Sequence, residues 1–253
     1  MQSLATVERA VDVLFHLHSQ EQPCGVSAIG RSLGLSKSSV HRLLTALASR
    51  GLVERDERGA YRPGMGLVAL GLGALEREPV VAAARPVLEA EAAALGETVF
   101  LVGARAGALL VLDKAEGTGF MRAAPRIGSS VPLHATAVGK LFLAFGEEQV
   151  RFPQQHLELF TKHTAVDPGA LLLEVGRARE RGYAENREEW IPGLAVVAAP
   201  VLVRGRMEGA LAAAAPAARM EELGHAAVAR RALEAGRRVA ARLAGSEGGV
   251  RSE

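Results

Sequence analysis

Cysteine, lysine and aromatic residues are all scarce in this sequence. Cys24 is the single cysteine of 253 residues, so an intramolecular disulfide cannot form and cysteine-based zinc sites are excluded. Phe, Trp and Tyr make up only 4% of the chain, too few for the aromatic platforms that stack single strands or RNA. Nearly all the basic residues are arginine, with lysine only at Lys37, Lys114, Lys140 and Lys162. Together with abundant Ala, Gly and Leu, that bias reads as GC-rich coding rather than as chemistry. No stretch approaches the roughly 18 uncharged apolar residues of a membrane span. The opening Met-Gln-Ser-Leu-Ala-Thr-Val-Glu-Arg lacks the basic start and apolar core of a signal peptide. The expectation is a cytoplasmic protein without a membrane partner. Net charge is only +2, so any affinity for nucleic acid must come from a local basic surface.

What is present divides in two. The length suits two domains, and the first sixty residues carry the sharper pattern. Val7, Ala10, Val11, Leu14 and Leu17 recur at helical spacing. Gln22, Pro23, Cys24 and Gly25 break that helix. Val26, Ile29 and Leu33 mark a short second one, stopped at Gly34, which accepts a left-handed helix end. Leu35 fills the turn, and Ser36 is a natural N-cap for a third helix, with Val40, Leu43, Leu44 and Leu47 on one narrow face. The opposite face presents Ser38, His41, Arg42, Thr45 and Ser49, with Lys37 in the first turn. Two helices joined by a tight Gly-containing turn, the second polar to basic outside, match a major-groove reader. Residues 52–55 and 60–62 then read as two short strands around a turn. This is a wing with Arg55, Arg58 and Arg62 available to phosphates or the minor groove. The bland alternative is a small helical cap with a solvated polar face, and the wing following in the right place argues against it.

Further on, Leu67, Leu70, Leu72 and Leu75 interleave with Gly64, Gly66, Gly71 and Gly73, a connecting helix before Pro79. Each internal glycine costs about 1 kcal/mol, so that helix is expected to need packing, for example against its twin in a dimer. A helix over 80–95 follows. The pattern then changes period: strands are expected at 98–102, 109–113, 120–123, 194–201 and 207–214, and helices from near His134 to about Phe145, over 171–181 and over 220–243. Hairpins with helices beside them imply an α+β domain on an antiparallel sheet. The expected boundaries are 1–62 for the winged helix-turn-helix, 63–80 for the linker helix, 81–245 for the second domain and 246–253 for a disordered tail.

The run at 34–44, Gly-Leu-Ser-Lys-Ser-Ser-Val-His-Arg-Leu-Leu, followed by Leu47, Gly51, Leu52, Val53, Tyr61 and Arg62, resembles the DNA-binding domain of IclR-type transcription regulators. The resemblance continues through residues 132–140, Pro-Leu-His-Ala-Thr-Ala-Val-Gly-Lys, then Arg181 to Ala184, Glu188 with Glu189, Pro192 with Gly193, and Ala198 to Val201. It implies that the third helix, over 36–50, enters the major groove, which puts Ser36, Lys37, Ser38, Ser39, His41, Arg42 and Thr45 against DNA beside the wing arginines. It also implies a GAF-like effector domain that binds a small molecule and forms a homodimer or tetramer on a pseudo-palindromic operator. No cofactor is implied. Carried over position by position, the ligand-lining residues are Phe120, Ala123, Val131, Ala137, Val138, Asn186, Leu194, Val196, Ala212 and Ala214. The late strand departs from the family pattern, carrying Ala212 and Ala214 where two serines are usual, and Asn186 replaces an acidic residue.

Other chemistry reads as absent. Gly139 and Lys140 lack the preceding glycine and following Ser or Thr of a phosphate loop. His156 and His163 have no acidic or thiol partners nearby, which speaks against a metal site. Glu188 and Glu189 are adjacent on an extended segment and point to opposite sides, so salt bridging is favoured over a catalytic pair. No Gly-x-Ser-x-Gly or Ser-His-Asp arrangement occurs, so an enzyme fused to a DNA-binding module is the weaker reading. A C-terminal domain serving only oligomerisation is the other alternative. The helix start near His134 offers free N–H groups and a positive dipole end to a carboxylate. With Asn186 the one polar side chain transferred, the expected effector is largely apolar or aromatic, with one carboxylate.

Overall fold

The computed structural model describes residues 2–105, 107–119, 125–146 and 157–249. The chain divides into two compact units, Met1–Arg77 and Glu78–Glu253.

In the first unit, three helices pack around one small core: α1 (Gln2–Ser19), α2 (Val26–Leu33) and α3 (Lys37–Ala48). Val40, Leu44 and Leu47 recur one helical turn apart and bury the inner face of α3 against Val13, Leu17 and Ile29. The turn between α2 and α3 is set by Gly34, whose φ of 65° is the left-handed conformation of a helix end. Ser36 then caps α3, its hydroxyl accepting from the Ser39 N–H at 3.2 Å. Strands β1 (Val53–Arg55) and β2 (Tyr61–Pro63) form an antiparallel wing with Glu54 opposite Arg62. Asp56 closes the wing turn, its Oδ1 accepting from the N–H groups of Arg58 and Ala60. Cys24 pairs with Tyr61 through both backbone groups, tying the wing to the break after α1.

Helix α4 (Met65–Leu75) closes this unit. Its start is bound to the wing: Gly64 N–H donates to Leu52 O, Gly66 N–H to Gly51 O at 2.8 Å, and Met65 N–H to Glu54 Oε1. None of its residues is buried, and Leu70 and Leu72 are exposed to 65% and 60%.

The second unit is built on a six-stranded antiparallel sheet of order β5-β4-β3-β8-β7-β6. The strands are β3 (Thr98–Arg105), β4 (Ala108–Ala115), β5 (Ser130–Val131), β6 (Ala184–Arg187), β7 (Leu194–Val203) and β8 (Arg206–Pro216). Strand alternation divides the apolar residues between two cores. Val99, Leu101, Val197, Leu211 and Ala213 face helices α5 (Pro79–Leu95) and α9 (His225–Gly249). Phe100, Val102, Val196, Ala198, Ala212 and Ala214 face α6 (Ala137–Phe145) and α7 (Pro168–Arg181). The register places Phe100 opposite Ala212 and Val196 opposite Ala214.

Three sequence expectations change. The helix expected from near His134 begins at Ala137, because Thr136 is the cap: its Oγ1 accepts from Gly139 N–H at 3.0 Å and donates to Pro132 O. The long helix expected over 220–243 is two, α8 (Ala217–Leu223) and α9, parted at Gly224, whose φ of 78° no continuous helix allows. The tail expected to be disordered is helical as far as Gly249, and residues 250–253 lie outside the described residues. The strand expected at 120–123 lies outside them as well.

Candidate functional site

The outer face of α3 is the first candidate surface. Ser36, Lys37, Ser38, His41, Arg42 and Thr45 are exposed, and Ser39 is half-buried under the cap. Ser36 also contacts the hydroxyls of Ser38 and Ser39 at 3.1 and 2.9 Å, and Thr45 Oγ1 donates back to His41 O. Those bonds hold the side chains close to the helix and leave Lys37, His41 and Arg42 as its projecting groups. Lys37, Arg42 and Arg58 make no ion pair with the described residues. The other two wing arginines are engaged. Arg55 lies over the Tyr61 ring at 5.8 Å, and Arg62 holds Glu54 at 3.1 Å. Glu54 escaped the sequence reading because only the strand register puts it opposite Arg62.

The second candidate is a cavity of about 520 Å³ in the second unit. On the sheet face that Phe100 and Val196 share, β8 contributes Ala214 and Pro216 to its wall. Of the transferred ligand positions, Val131, Ala137, Val138, Asn186, Leu194, Val196 and Ala214 line it. Ala212 packs in the adjoining core and is not part of the wall. His134 also lies outside the lining: it is buried, stacks on Phe160 at 5.5 Å, and its Nε2–H donates to Glu158 O at 2.8 Å. Phe120 and Ala123 lie outside the described residues.

Asn186 is not the only polar wall group, as the sequence reading had it. Arg126, Ser129, Ser130 and Thr136 line the cavity too. Phe100, Trp190, Ile191 and Pro192 complete an otherwise apolar wall that sequence reasoning missed. The one available signal was the only tryptophan of the chain standing in a loop closed by Pro192 and Gly193. The N–H groups of Ala137 and Val138, in the first turn of α6, border this space and have no partner within their own helix.

Glu188 and Glu189 part company, as adjacent extended residues do. Glu189 Oε1 meets Lys140 Nζ at 2.7 Å, whereas Glu188 Oε2 accepts from Gly193 N–H at 2.7 Å. Among the described residues no group of three or more His, Cys, Asp or Glu could hold a metal, and no helix is long and apolar enough to cross a membrane. His156 lies outside those residues.

A capped recognition-type helix with a wing, followed by a separate antiparallel-sheet unit enclosing a cavity, defines a two-part DNA-binding transcription regulator. Residues 6–57 match the IclR helix-turn-helix domain, and residues 72–241 match the C-terminal domain of bacterial transcriptional regulator IclR. The chain belongs to the IclR family. It is 31% identical over 239 residues to the HTH-type transcriptional regulator BhcR of Paracoccus denitrificans, covering 92% of this chain and 85% of that one. An IclR transcriptional regulator from Alicyclobacillus acidocaldarius superimposes with a TM-score of 0.81 at 26% identity, over 94% of this chain and 98% of the other. An IclR homologue from Microbacterium hydrocarbonoxydans, solved in complex with 4-hydroxybenzoate, shares the fold with a TM-score of 0.83 at 24% identity, over 95% and 99% of the two chains.

Proposed function

We propose that this regulator binds a pseudo-palindromic operator as a homodimer or tetramer and that a small molecule in the cavity of the second unit sets its affinity for DNA. On this reading the exposed face of α3 enters the major groove, with Arg42 and His41 on base edges and Lys37 in the first turn. Arg55, Arg58 and Arg62 of the wing meet phosphate or the minor groove. Arg42 supports the reading most directly, being exposed on the helix face opposite the core and free of any ion pair with the described residues.

The effector is a largely apolar, ring-bearing monocarboxylate. The observation that carries this part is the cavity wall itself, mainly Phe100, Val131, Val138, Trp190, Leu194 and Val196, bordered by the start of α6. A small hydrated diacid buried there would leave polar groups unpaired at about 1–3 kcal/mol each. A carboxylate directed at the N–H groups of Ala137 and Val138 meets the positive end of α6. The 4-hydroxybenzoate held by the Microbacterium hydrocarbonoxydans homologue belongs to this chemical class. Binding would shift operator affinity by the ligand's differential affinity for the two arrangements of the protein, and by no more.

The test is a thermal-shift series on the full chain together with binding to DNA fragments that the full chain selects from a random pool. Aromatic monocarboxylates are expected to raise the melting temperature and change affinity for the selected DNA. Stabilisation by aliphatic hydroxy acids alone would show that the cavity has been misread. Arg42→Ala is expected to weaken selected DNA by about 1–3 kcal/mol if it reads a guanine edge. Unchanged affinity would remove α3 from the readout.

A further inference from the structure

Two features of the second unit have no part in the reading so far. Lys140, on α6, is only 2% exposed, and Glu188 adopts a left-handed φ of 59° that non-glycine residues rarely accept. Both act on the loop between β6 and β7, which carries Trp190. Glu188 makes the turn, donating its N–H to Leu194 O at 2.9 Å while its carboxylate accepts from Gly193 N–H. Thr161 and Thr164 donate their hydroxyls to Glu188 O and Glu189 O at 2.7 and 2.6 Å. Lys140 then holds Glu189 from α6.

Asn186 completes the frame. Its Nδ2 donates to Ala135 O, just ahead of α6, and its Oδ1 accepts from Glu189 N–H at 3.1 Å. The side chain that the sequence marked as the polar anchor for a ligand is engaged on both sides by backbone. Thr136 is likewise engaged at both Pro132 and Gly139, and Ser129 Oγ donates to Arg126 O. Strained backbone persists where the surroundings over-determine it, and it clusters at ligand sites. Here the strain and five hydrogen-bonding partners fix one loop, and the loop presents one large flat side chain to the cavity.

We propose that Trp190 is the specificity-determining residue of this cavity: an indole on a firmly held loop that selects flat, ring-bearing ligands by stacking, with Asn186, Glu188 and the Lys140–Glu189 pair as the residues that position the loop. The inference rests on the effector reading above and deepens it. The Asn186, Thr136 and Ser129 side chains are already bonded within the protein, so apart from Arg126 and Ser130 discrimination falls to the aromatic walls, Trp190 on the loop and Phe100 on β3, where an aromatic ring gains both burial and favourable ring geometry. A loop already held at Glu188, Glu189 and Gly193 lowers the ordering cost of binding, since its backbone need not be immobilised by the ligand.

Trp190 is the only tryptophan, so the emission of the full chain reports on this one position. The experiment titrates wild type, Trp190→Ala and Trp190→Phe with 4-hydroxybenzoate and with lactate, following thermal stability for all and tryptophan emission for wild type. Expected are saturable stabilisation and an emission change by 4-hydroxybenzoate with one shared Kd, and neither effect with lactate. Trp190→Ala should bind the aromatic probe at least about tenfold more weakly, and Trp190→Phe within about threefold of wild type. Stabilisation by 4-hydroxybenzoate without an emission change, or with Trp190→Ala binding as tightly as wild type, would overturn the role of Trp190 and leave the effector reading intact. No stabilisation of wild type by 4-hydroxybenzoate would overturn both. If Trp190→Ala fails to fold, the wild-type emission titration and Trp190→Phe still decide.

Discussion

Replacing Lys140 with methionine removes an ammonium that is 2% exposed while nearly conserving volume. The partner carboxylate of Glu189 is only 13% exposed and then loses its 2.7 Å contact. Its other oxygen already has no hydrogen-bond partner, and the remaining contact to Arg187 N–H is marginal at 3.5 Å. The variant also forfeits the bond from Lys140 Nζ to Glu185 O. A buried pair broken from one side costs about 3–5 kcal/mol because an uncompensated charge is left behind. In a unit of this size that is a fall in melting temperature of roughly 6–20 °C. Glu189→Leu strands the ammonium instead, which keeps its bond to Glu185 O at 3.0 Å and has the half-exposed Glu174 at 3.8 Å as its remaining carboxylate, and should sit at the lower end of the range. The double variant Lys140→Met with Glu189→Leu is expected to recover most of the loss, because apolar groups of similar volume can replace a buried pair at little net cost. Urea unfolding followed by tryptophan emission isolates the transition of the second unit, where Trp190 resides. A Lys140→Met variant within about 1 kcal/mol of wild type, or a double variant whose loss equals the sum of the singles, would refute the reasoning.

Two further perturbations probe other parts of the molecule. A Cβ at Gly66 would stand 2.7 Å from Gly51 O and 2.9 Å from Gly51 C, so Gly66→Ala should destabilise the first unit and weaken DNA binding. Gly73→Ala meets nothing within 4 Å and should stabilise α4 by about 1 kcal/mol; equal melting temperatures for the two variants would contradict the wing–helix clamp. Burial raises the pKa of Asp113 above the usual carboxylate value, against the opposing pull of the Lys114 N–H and of Arg85. A raised native pKa means that the folded state holds its proton more tightly, so this contribution to stability is present at acid pH and is lost as pH rises through the native value. Asp113→Asn is therefore expected to raise the melting temperature relative to wild type more at pH 7 than at pH 4, a difference that a pH series of thermal melts reads directly. The opposite trend would show that the Arg85 contact outweighs burial.

Much of the first unit was legible because its determinants are local. Apolar residues one turn apart, a serine cap and a glycine helix end lie within a few residues of what they control, so α2, α3 and the wing follow from short-range chemistry. The same holds for the hairpins of the second unit, β3 with β4 and β7 with β8. Tertiary structure decided what depends on partners far along the chain. Arg62 meets Glu54 only through strand register, and Lys140 is buried because Glu189 arrives 49 residues later to hold it. His134 and Ala212, each two residues from a wall residue in sequence, lie outside the cavity because one donates its ring N–H to Glu158 O and the other fills the adjoining core. Trp190 was missed for the deepest reason. A cavity is space that side chains from several elements fail to fill, and no window of sequence records that failure. The sequence by itself determined a winged helix joined to an α+β unit, since repeating short-range preferences specify elements and their order. Only the packed structure decided which side chains border the empty space, since that depends on where every element comes to rest.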